Sequence, residues 1–378
     1  MVGRSHKLIF VVNAPGFFLS HRLPLAISAK AAGYEVHVAS ALGPEIKEIE
    51  AQGLKHHVVP FARSGQNPFK EALAIWKLIR LFKRLKPSLI HLITIKPVLY
   101  GGIASRIAGV SSVVSAVSGL GTVFITNSSA GKLRKWFVIR LYGLAFKQKR
   151  LAVIFQNNDD RNILLSSDVV DFLNTRIIHG SGVDLAEYNF LPERDCQLVA
   201  VMAARLLKDK GVYEFVEAAR VLRSRRVAVK MRLIGSLDSG NPTSVTKEDL
   251  QSWALEGIVE VLGYRDDIAA QYAQAHIVCL PSYREGLPKS LIEAAACGRA
   301  VVTTDVAGCR DAIIPNVTGL LVPVRDPVAL ADAIQKLVGE PELRREMGIA
   351  GRRLAEDRFA IKGVVDQHLQ IYEEVLNI

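Results

Sequence analysis

The sequence predicts an α/β protein built as two doubly wound parallel-sheet domains, and three observations carry that expectation. Short apolar runs of strand length alternate with segments of helical periodicity along the whole chain. That is the pattern of repeated βα units, and hence of parallel sheets covered by helices on both faces. The chain has 378 residues, 49% of them hydrophobic, which is ample for two cores and too long for one typical domain. A flexible polar stretch divides it near the middle: Gly180-Ser181-Gly182-Val183-Asp184, then Leu191-Pro192-Glu193-Arg194-Asp195.

In the first half, strands are predicted at 8–12, 35–39, 54–59, 89–92, 112–117, 151–155 and 176–178, with the clearest helices at 68–85 and 131–146. In the second half, strands are predicted at 198–202, 229–234, 258–261, 277–280, 300–303 and 320–322, and helices at 212–222, 287–296 and 327–338. Each half therefore holds enough strands for a complete domain. Near the end, Val364, Val365, Leu369, Tyr372, Val375 and Leu376 recur at helical spacing. The expected division is an N-terminal domain at 1–184, a C-terminal domain at 185–360, and a terminal helix at 361–378 packing back toward the N-terminal domain.

Several classes are disfavoured by composition. No window reaches the roughly 18 apolar residues of a membrane span. The run Leu8-Ile9-Phe10-Val11-Val12 is followed by loop residues rather than a cleavage site, so a first strand is expected there, not a signal peptide. Cys196, Cys279, Cys297 and Cys309 form no C-x-x-C pair, and buried reduced thiols of a cytosolic protein are expected. The net charge of +11 is unevenly spread. Residues 1–184 carry 24 Lys and Arg against 10 Asp and Glu, whereas residues 185–378 carry 24 against 27. Between Ala72 and Asn158 there are 14 basic residues and no acid. Such asymmetry points the N-terminal half at an anionic partner. Nucleic acid is the weakest choice, because no zinc-ligand spacing, recognition helix or RNA-binding aromatic pattern is present. An acidic membrane surface and a phosphorylated substrate remain.

The most informative segment is Pro281-Ser282-Tyr283-Arg284-Glu285-Gly286-Leu287-Pro288-Lys289-Ser290-Leu291-Ile292-Glu293. It follows a predicted strand and opens a helix, so a carboxylate, free backbone N–H groups and a helix dipole meet at the C-terminal end of a strand. Open α/β sheets bind ligands there, and helix N-termini favour phosphate. Glu285 and Glu293 can accept hydrogen bonds from sugar hydroxyls. Taken alone, Glu285 could equally complement the helix dipole and Glu293 could be a solvated helix residue. A second constellation shifts the balance. Arg205 follows the strand at 198–202, and Lys210-Gly211 opens the next helix on the same sheet edge. Arg suits bidentate phosphate contact and Lys a point-charge contact, and both can neutralise a departing diphosphate. The alternative is a surface loop in which Lys208, Asp209 and Lys210 pair among themselves. Gly119-Leu120-Gly121 lacks the third glycine of a dinucleotide fingerprint, and no Walker loop, nucleophile elbow or His-Glu-x-x-His occurs.

Arg205…Lys210-Gly211 together with Glu285-Gly286-Leu287-Pro288…Glu293 resembles the signature of the retaining family-four glycosyltransferases. The likeness extends to Leu262-Gly263-Tyr264-Arg265, the 180–184 segment, and Gly308…Gly319-Leu320-Leu321-Val322. It implies a GT-B fold: two Rossmann-like doubly wound domains facing a central cleft. Within the family the chain is similar to bacterial enzymes that extend saccharides on undecaprenyl diphosphate, notably N-acetylgalactosaminyltransferases, through Ser20-His21-Arg22-Leu23-Pro24, Lys96 and Gly119-Leu120-Gly121. What the resemblance implies for the site is as follows. Glu293 holds the donor ribose and Glu285 the donor-sugar hydroxyls. The backbone N–H groups of Gly286 and Leu287, with Arg205 and Lys210, hold the diphosphate of a UDP-sugar, and the backbone around Arg265 meets the base. Gly16 lets the first N-terminal loop approach the donor. No metal or other cofactor is required. Relatives commonly carry a His after the fifth N-terminal strand, where this chain has Val117-Ser118-Gly119.

The expected acceptor is a polyprenyl-diphosphate-linked saccharide, with His21, Arg22 and Lys96, on loops facing the cleft, as candidates for its phosphates. His91 is expected to be a satisfied core histidine. Lys132, Arg134, Lys135, Arg140, Lys147, Lys149 and Arg150 interleave with Trp136, Phe137, Tyr142 and Phe146. That is the pattern of an interfacial helix drawn to anionic lipid, at the cytoplasmic face of a bacterial inner membrane. The alternative for that helix is an apolar stripe in the core with solvated basic residues. For the whole chain the alternatives are a glycosyltransferase with a soluble acceptor, a nucleotide-sugar epimerase of the same fold, and a non-catalytic membrane-binding scaffold.

Overall fold

The alternation of apolar strands and helices is realised as two parallel sheets. The computed structural model describes residues 6–61, 68–121, 124, 129–194, 196–238 and 240–377. They form two compact units, Met1–Ser181 with Lys362–Ile378, and Gly182–Ile361. Asp195 of the predicted connector lies outside the described residues.

In the first unit the strands are β1 (Lys7–Val11), β2 (Glu35–Ser40), β3 (Lys55–Val58), β4 (Leu89–Ile93), β5 (Ser112–Val117), β6 (Arg150–Phe155) and β7 (Thr175–Ile177). All neighbours pair in parallel, in the order β3-β2-β1-β4-β5-β6-β7. Between them lie α1 (Pro15–Ala31), α2 (Ile46–Ala51), α3 (Pro68–Leu85), α4 (Gly102–Ala108), α5 (Ser129–Ala145) and α6 (Asn158–Leu165). Every residue of β4 and β5 is buried, as a strand covered on both faces requires. Side chains alternate between two cores. Ile9, Val11, Ile90 and Leu92 join Ala74, Leu78 and Phe82 of α3 and Tyr142 of α5 on one face. On the other face Phe10 meets Phe18 of α1 edge-on at 5.8 Å between centroids. His91 of β4, next to Phe10, hydrogen-bonds through Nδ1 to the Tyr372 hydroxyl at 2.6 Å.

Tyr372 belongs to the last helix, which therefore completes the first unit rather than the second. Among the described residues the buried Nε2 of His91 has no hydrogen-bond partner, so the expectation of a satisfied core histidine holds only for its other nitrogen. Burial pushes His91 well below its ordinary range, helped by the neighbouring His368 and Arg22.

The second unit holds β8 (Val199–Ala203), α7 (Val212–Ser224), β9 (Lys230–Ile234), α8 (Lys247–Glu256), β10 (Glu260–Gly263), α9 (Ile268–Ala273), β11 (Ile277–Leu280), α10 (Lys289–Ala296), β12 (Ala300–Thr304), β13 (Gly319–Val322), α11 (Pro327–Gly339) and α12 (Pro341–Leu354). Its six strands are parallel in the order β10-β9-β8-β11-β12-β13. The chain then enters α13 (Ile361–Leu376). Cys279, Cys297 and Cys309 are buried free thiols, whereas Cys196 is exposed, contrary to the expectation for all four.

Candidate active site

Strand order locates the site of the second unit. The sheet grows outward from β8 in one direction and from β11 in the other, so the topological switch lies between these adjacent strands. A crevice outside their C-terminal ends is where such sheets take ligands. The loop after β8 carries Arg205 and Lys210; the loop after β11 carries the segment 281–288. The two loops therefore meet for a topological reason that no local pattern announces.

They are held together closely. Tyr283 N and Ser282 Oγ both donate to the Asp209 carbonyl, at 2.9 and 3.0 Å. Gly211 has φ +77°, and a Cβ there would stand 2.1 Å from the Pro281 carbonyl oxygen. On the other side Glu285 N donates to the Ala307 carbonyl at 3.1 Å. A Cβ on Gly308, at φ +80°, would stand 2.5 Å from the carbonyl oxygens of both Glu285 and Gly286. Two left-handed glycines thus let neighbouring loops grip the 281–286 segment, conformations costing roughly 1–2 kcal/mol for other residues.

Within this grip Lys210 Nζ contacts Glu285 Oε1 at 2.5 Å, and Ser282 Oγ lies 2.7 Å from the same oxygen. Arg205 Nη1 donates to Asp238 Oδ2 at 3.2 Å. The alternative pairing among Lys208, Asp209 and Lys210 is not what the structure shows for Lys210. Two cations, each oriented by a carboxylate from another loop, stand at one strand edge beside an acid. That set can hold an anion and hydroxyl groups together.

The helix α10 starts at Lys289, with Pro288 as N-cap and no capping side chain. Helix-forming Leu291-Ile292-Glu293-Ala294-Ala295-Ala296 continues it, and Gly298 at φ +66° ends it. Glu293 therefore lies one turn into the helix. It is also 7% exposed, which rules out a solvated surface acid. Burial raises its carboxyl above the usual range, opposed by Lys289 (3.2 Å) and by the Tyr188 hydroxyl. Leu287 is buried in the core of this unit, which anchors the backbone ahead of the helix. Arg265 follows β10, and its guanidinium grips Asp267 with two 2.7 Å bonds. Ser282, Asp238 and Tyr188 escaped the sequence reading. Ser282 sits three residues before Glu285 and was within view, whereas Asp238 and Tyr188 come from distant segments.

In the first unit the candidates are placed differently from expectation. Gly16, His21 and Arg22 lie on the helix α1, not on loops, because Pro15 opens that helix directly after β1. Gly16 is in its first turn, where a Cβ would stand 3.0 Å from Glu45 Oε1. His21 stacks on Phe17 with centroids 4.2 Å apart and shares a 2.6 Å hydrogen bond with Ser20 Oγ. Arg22 is 3% exposed, two turns into the helix and facing the sheet; burial lowers its pKa to about 10. It is a core group, not a loop cation. Lys96, just past β4, pairs with Glu71 of α3 at 2.7 Å.

The segment around α5 divides its apolar side chains between core and surface. Tyr142 and Phe146 enter the core, while Leu133, Trp136, Phe137 and Leu144 are exposed. Across α4, against which both α3 and α5 pack, α3 exposes Phe69, Leu73 and Trp76. Arg80 lies over Trp76 at 4.8 Å and Arg140 over Trp136 at 5.3 Å. Both helices thus turn an aromatic and aliphatic stripe with interleaved cations outward. No helix among the described residues is long and apolar enough to cross a membrane. Among the described residues no group of three or more His, Cys, Asp or Glu could hold a metal ion.

Comparison with known proteins agrees with this geometry. The family model "Glycosyl transferases group 1" matches residues 187–354, and "Glycosyl transferase 4-like" matches residues 7–157. A Campylobacter jejuni protein, N,N'-diacetylbacillosaminyl-diphospho-undecaprenol alpha-1,3-N-acetylgalactosaminyltransferase, is 29% identical over 98% of this chain and 99% of that protein. The capsular polysaccharide biosynthesis glycosyltransferase CapM of Staphylococcus aureus is 26% identical over 90% of each. Among solved structures, sucrose-phosphate synthase of Thermosynechococcus elongatus superposes with a TM-score of 0.81 at 21% identity, covering 98% of this chain and 99% of that one. Anabaena HepE in complex with UDP and glucose gives 0.79 at 19% identity, covering 98% and 100%. With one model on each unit, matched nearly end to end by such relatives, the chain belongs to the GT-B glycosyltransferases with a 4-like N-terminal domain and a group 1 C-terminal domain.

Proposed function

We propose that this glycosyltransferase moves a hexose or N-acetylhexosamine from a UDP-sugar to a saccharide linked to a polyprenyl diphosphate, with retention at the anomeric carbon. The observation that carries the donor side is the convergence of Arg205, Lys210, Glu285 and the start of α10 on the β8/β11 switch. In this reading Arg205, Lys210 and the Gly286 and Leu287 backbone take the diphosphate. Glu285 takes donor-sugar hydroxyls, Glu293 the ribose, and the chain near Arg265 the base. The acceptor hydroxyl oxygen bonds to the anomeric carbon as the bond to the UDP oxygen breaks. Its proton passes to the departing phosphate, on the same face of the sugar. The two cations stabilise the growing negative charge, so the step needs no metal ion.

The acceptor side rests on the Campylobacter relative's printed substrate and on the surface of the first unit. From Leu73 onward the exposed stripes of α3 and α5 lie in the stretch from Ala72 to Asn158, which contains no acid. Basic residues near an anionic surface contribute about 1 kcal/mol each, and aromatic side chains suit the interface. The reaction then runs at the cytoplasmic face of the bacterial inner membrane, with the protein peripheral to it. The test is incubation with UDP-hexoses and UDP-N-acetylhexosamines plus a polyprenyl-diphosphate saccharide in the presence of chelator, read by product mass. A lipid-linked product one sugar longer is expected. Product formed only from free sugars, or an epimerised donor without transfer, overturns the reading.

A further inference from the structure

We propose that Tyr188 is a positioning residue of the donor site, whose hydroxyl orients the Glu293 carboxylate toward the two vicinal ribose hydroxyls of the nucleotide. The ribose role of Glu293 rests on the function proposed above; what holds the carboxylate is read from the second unit alone. Tyr188 comes from the segment that opens this unit. Val183 pairs there with the chain around Ala360: its amide donates to the Phe359 carbonyl at 2.8 Å, and its carbonyl accepts from Ile361 N at 3.0 Å. Asp184 follows and starts a turn. Its Oδ1 accepts from Ala186 N at 2.8 Å, and its carbonyl accepts from Tyr188 N at 2.9 Å. An Asp suits that place because its side chain satisfies the first free amide of the turn. The turn carries the Tyr188 ring inward, 6% exposed, into the core of the unit.

Three attachments then tie this residue and its neighbour to α10, the helix that carries Glu293. The Tyr188 hydroxyl is hydrogen-bonded to the Glu293 carboxylate. The Tyr188 carbonyl accepts from Arg352 Nη1 of α12 at 2.9 Å, and the same nitrogen donates to the carbonyl of Ala296, the last residue of α10, at 2.8 Å. Two residues on, Phe190 packs against Gly298, where a Cβ would stand 2.2 Å from the ring. Tyr188 is therefore fixed to α10 through its backbone as well as its hydroxyl. A phenol ring has only two rotatable bonds, so a group held in this way defines the place of its oxygen closely.

The carboxylate needs such a partner. Glu293 is buried, and burial favours its neutral form. A neutral carboxyl presents an O–H donor to a diol that also offers donors, whereas an ionised one only accepts. Burial keeps the Tyr188 phenol protonated, so Tyr188 donates and favours the ionised form. Lys289 does the same from 3.2 Å. Of the other groups facing the carboxylate, Tyr272 of α9 and Cys297 just past α10 are held neutral by burial, and the exposed Glu187 opposes ionisation with a like charge. A carboxylate has about four lone-pair sites, so Lys289 and Tyr188 leave about two for a vicinal diol. With both donors in place the pair of free sites has one orientation; without Tyr188 only Lys289 sets it.

The isosteric variant Tyr188→Phe keeps the packing and removes the hydroxyl. Calorimetric Kd values are measured for UDP and for its dideoxyribose analogue, which lacks both ribose hydroxyls, with wild type, Tyr188→Phe and Glu293→Gln. A UDP Kd raised about five- to tenfold in Tyr188→Phe, with that of the analogue unchanged, is expected from the loss of one hydrogen bond to a charged group. The carboxyl of this variant holds its proton more tightly. As pH falls, its preference for UDP over the analogue should therefore fade about one pH unit earlier than in wild type. A UDP Kd within about twofold of wild type overturns the proposal. So does an equal weakening of both nucleotides, which marks a purely structural role. The ribose reading fails separately: it falls if wild type binds both nucleotides alike, or if Glu293→Gln weakens them alike. The hold of Tyr188 on the carboxylate is then read without nucleotide, from urea midpoints against pH in pairs of proteins differing only by Glu293→Gln. The stability lost to this carboxyl as pH rises should extend to higher pH in the Tyr188→Phe pair than in the wild-type pair, because its folded-state pKa is higher. Identical profiles in the two pairs overturn the proposal.

Discussion

Replacing Gly211 by alanine should disable the donor site without touching any group that contacts a substrate. The added Cβ would lie 2.1 Å from the Pro281 carbonyl oxygen and 2.7 Å from its carbon, at a backbone φ of +77°. Real Cβ atoms do not approach closer than 3.0 Å, so the loops after β8 and β11 must part by close to 1 Å. Left-handed strain contributes roughly 1–2 kcal/mol and the forced separation roughly 1–3 kcal/mol more, for a total of about 2–5 kcal/mol. The displacement acts directly on function, because Lys210 is the adjacent residue and its partner Glu285 is carried by the other loop. A misplacement of about 1 Å can cost about a hundredfold in rate. Steady-state kcat/KM for sugar transfer, together with urea unfolding, is the assay. A fall of that order with a folded protein is expected, and Lys210→Ala should lie in the same range through loss of a leaving-group cation. A Gly211→Ala protein with wild-type stability and wild-type kcat/KM refutes the claim that the close approach of these two loops positions the site.

Three further outcomes are expected. Glu293→Gln should weaken donor binding about tenfold or more by calorimetry, since hydrogen bonds to a carboxylate are worth more than those to an amide. The same variant should gain stability relative to wild type as pH rises. The folded-state pKa of Glu293 is raised by burial, so the native protein holds that proton more tightly than the unfolded chain. Wild-type stability from this group is therefore full below the unfolded carboxyl value and declines as pH climbs toward the folded one. Urea midpoints from pH 4 upward that show no growing difference between the two proteins would contradict this (about pH 4 being the ordinary carboxylate value). Finally, Trp76→Ala with Trp136→Ala should reduce flotation with anionic vesicles while leaving unfolding midpoints unchanged, because both rings are about half exposed. Equal binding of wild type to neutral and anionic vesicles would defeat the electrostatic part of the argument.

The sequence by itself determined the alternation of strands and helices, because a strand buried on both faces has to be an unbroken apolar run. Ile277–Leu280 and Ser112–Val117 were legible for that reason. It also singled out Arg205, Lys210, Glu285 and Glu293, since cations and acids beside strand ends stand out against apolar surroundings. Strand order is a different kind of information: nothing in the residues of β8 says that its neighbours are β9 and β11. The juxtaposition of the 205–211 and 281–288 loops follows from that order alone. So do the pairing of Lys210 with Glu285 across 75 positions and the service of Ser282 to the same carboxylate. Arg22 shows the limit in the other direction. A cation next to a histidine suggested a loop facing a phosphate, but α1 begins at Pro15 and two turns of helix rotate Arg22 into the core. Local chemistry thus named most of the groups, while long-range strand pairing and helix phase, which depend on contacts distant in sequence, decided which of them meet.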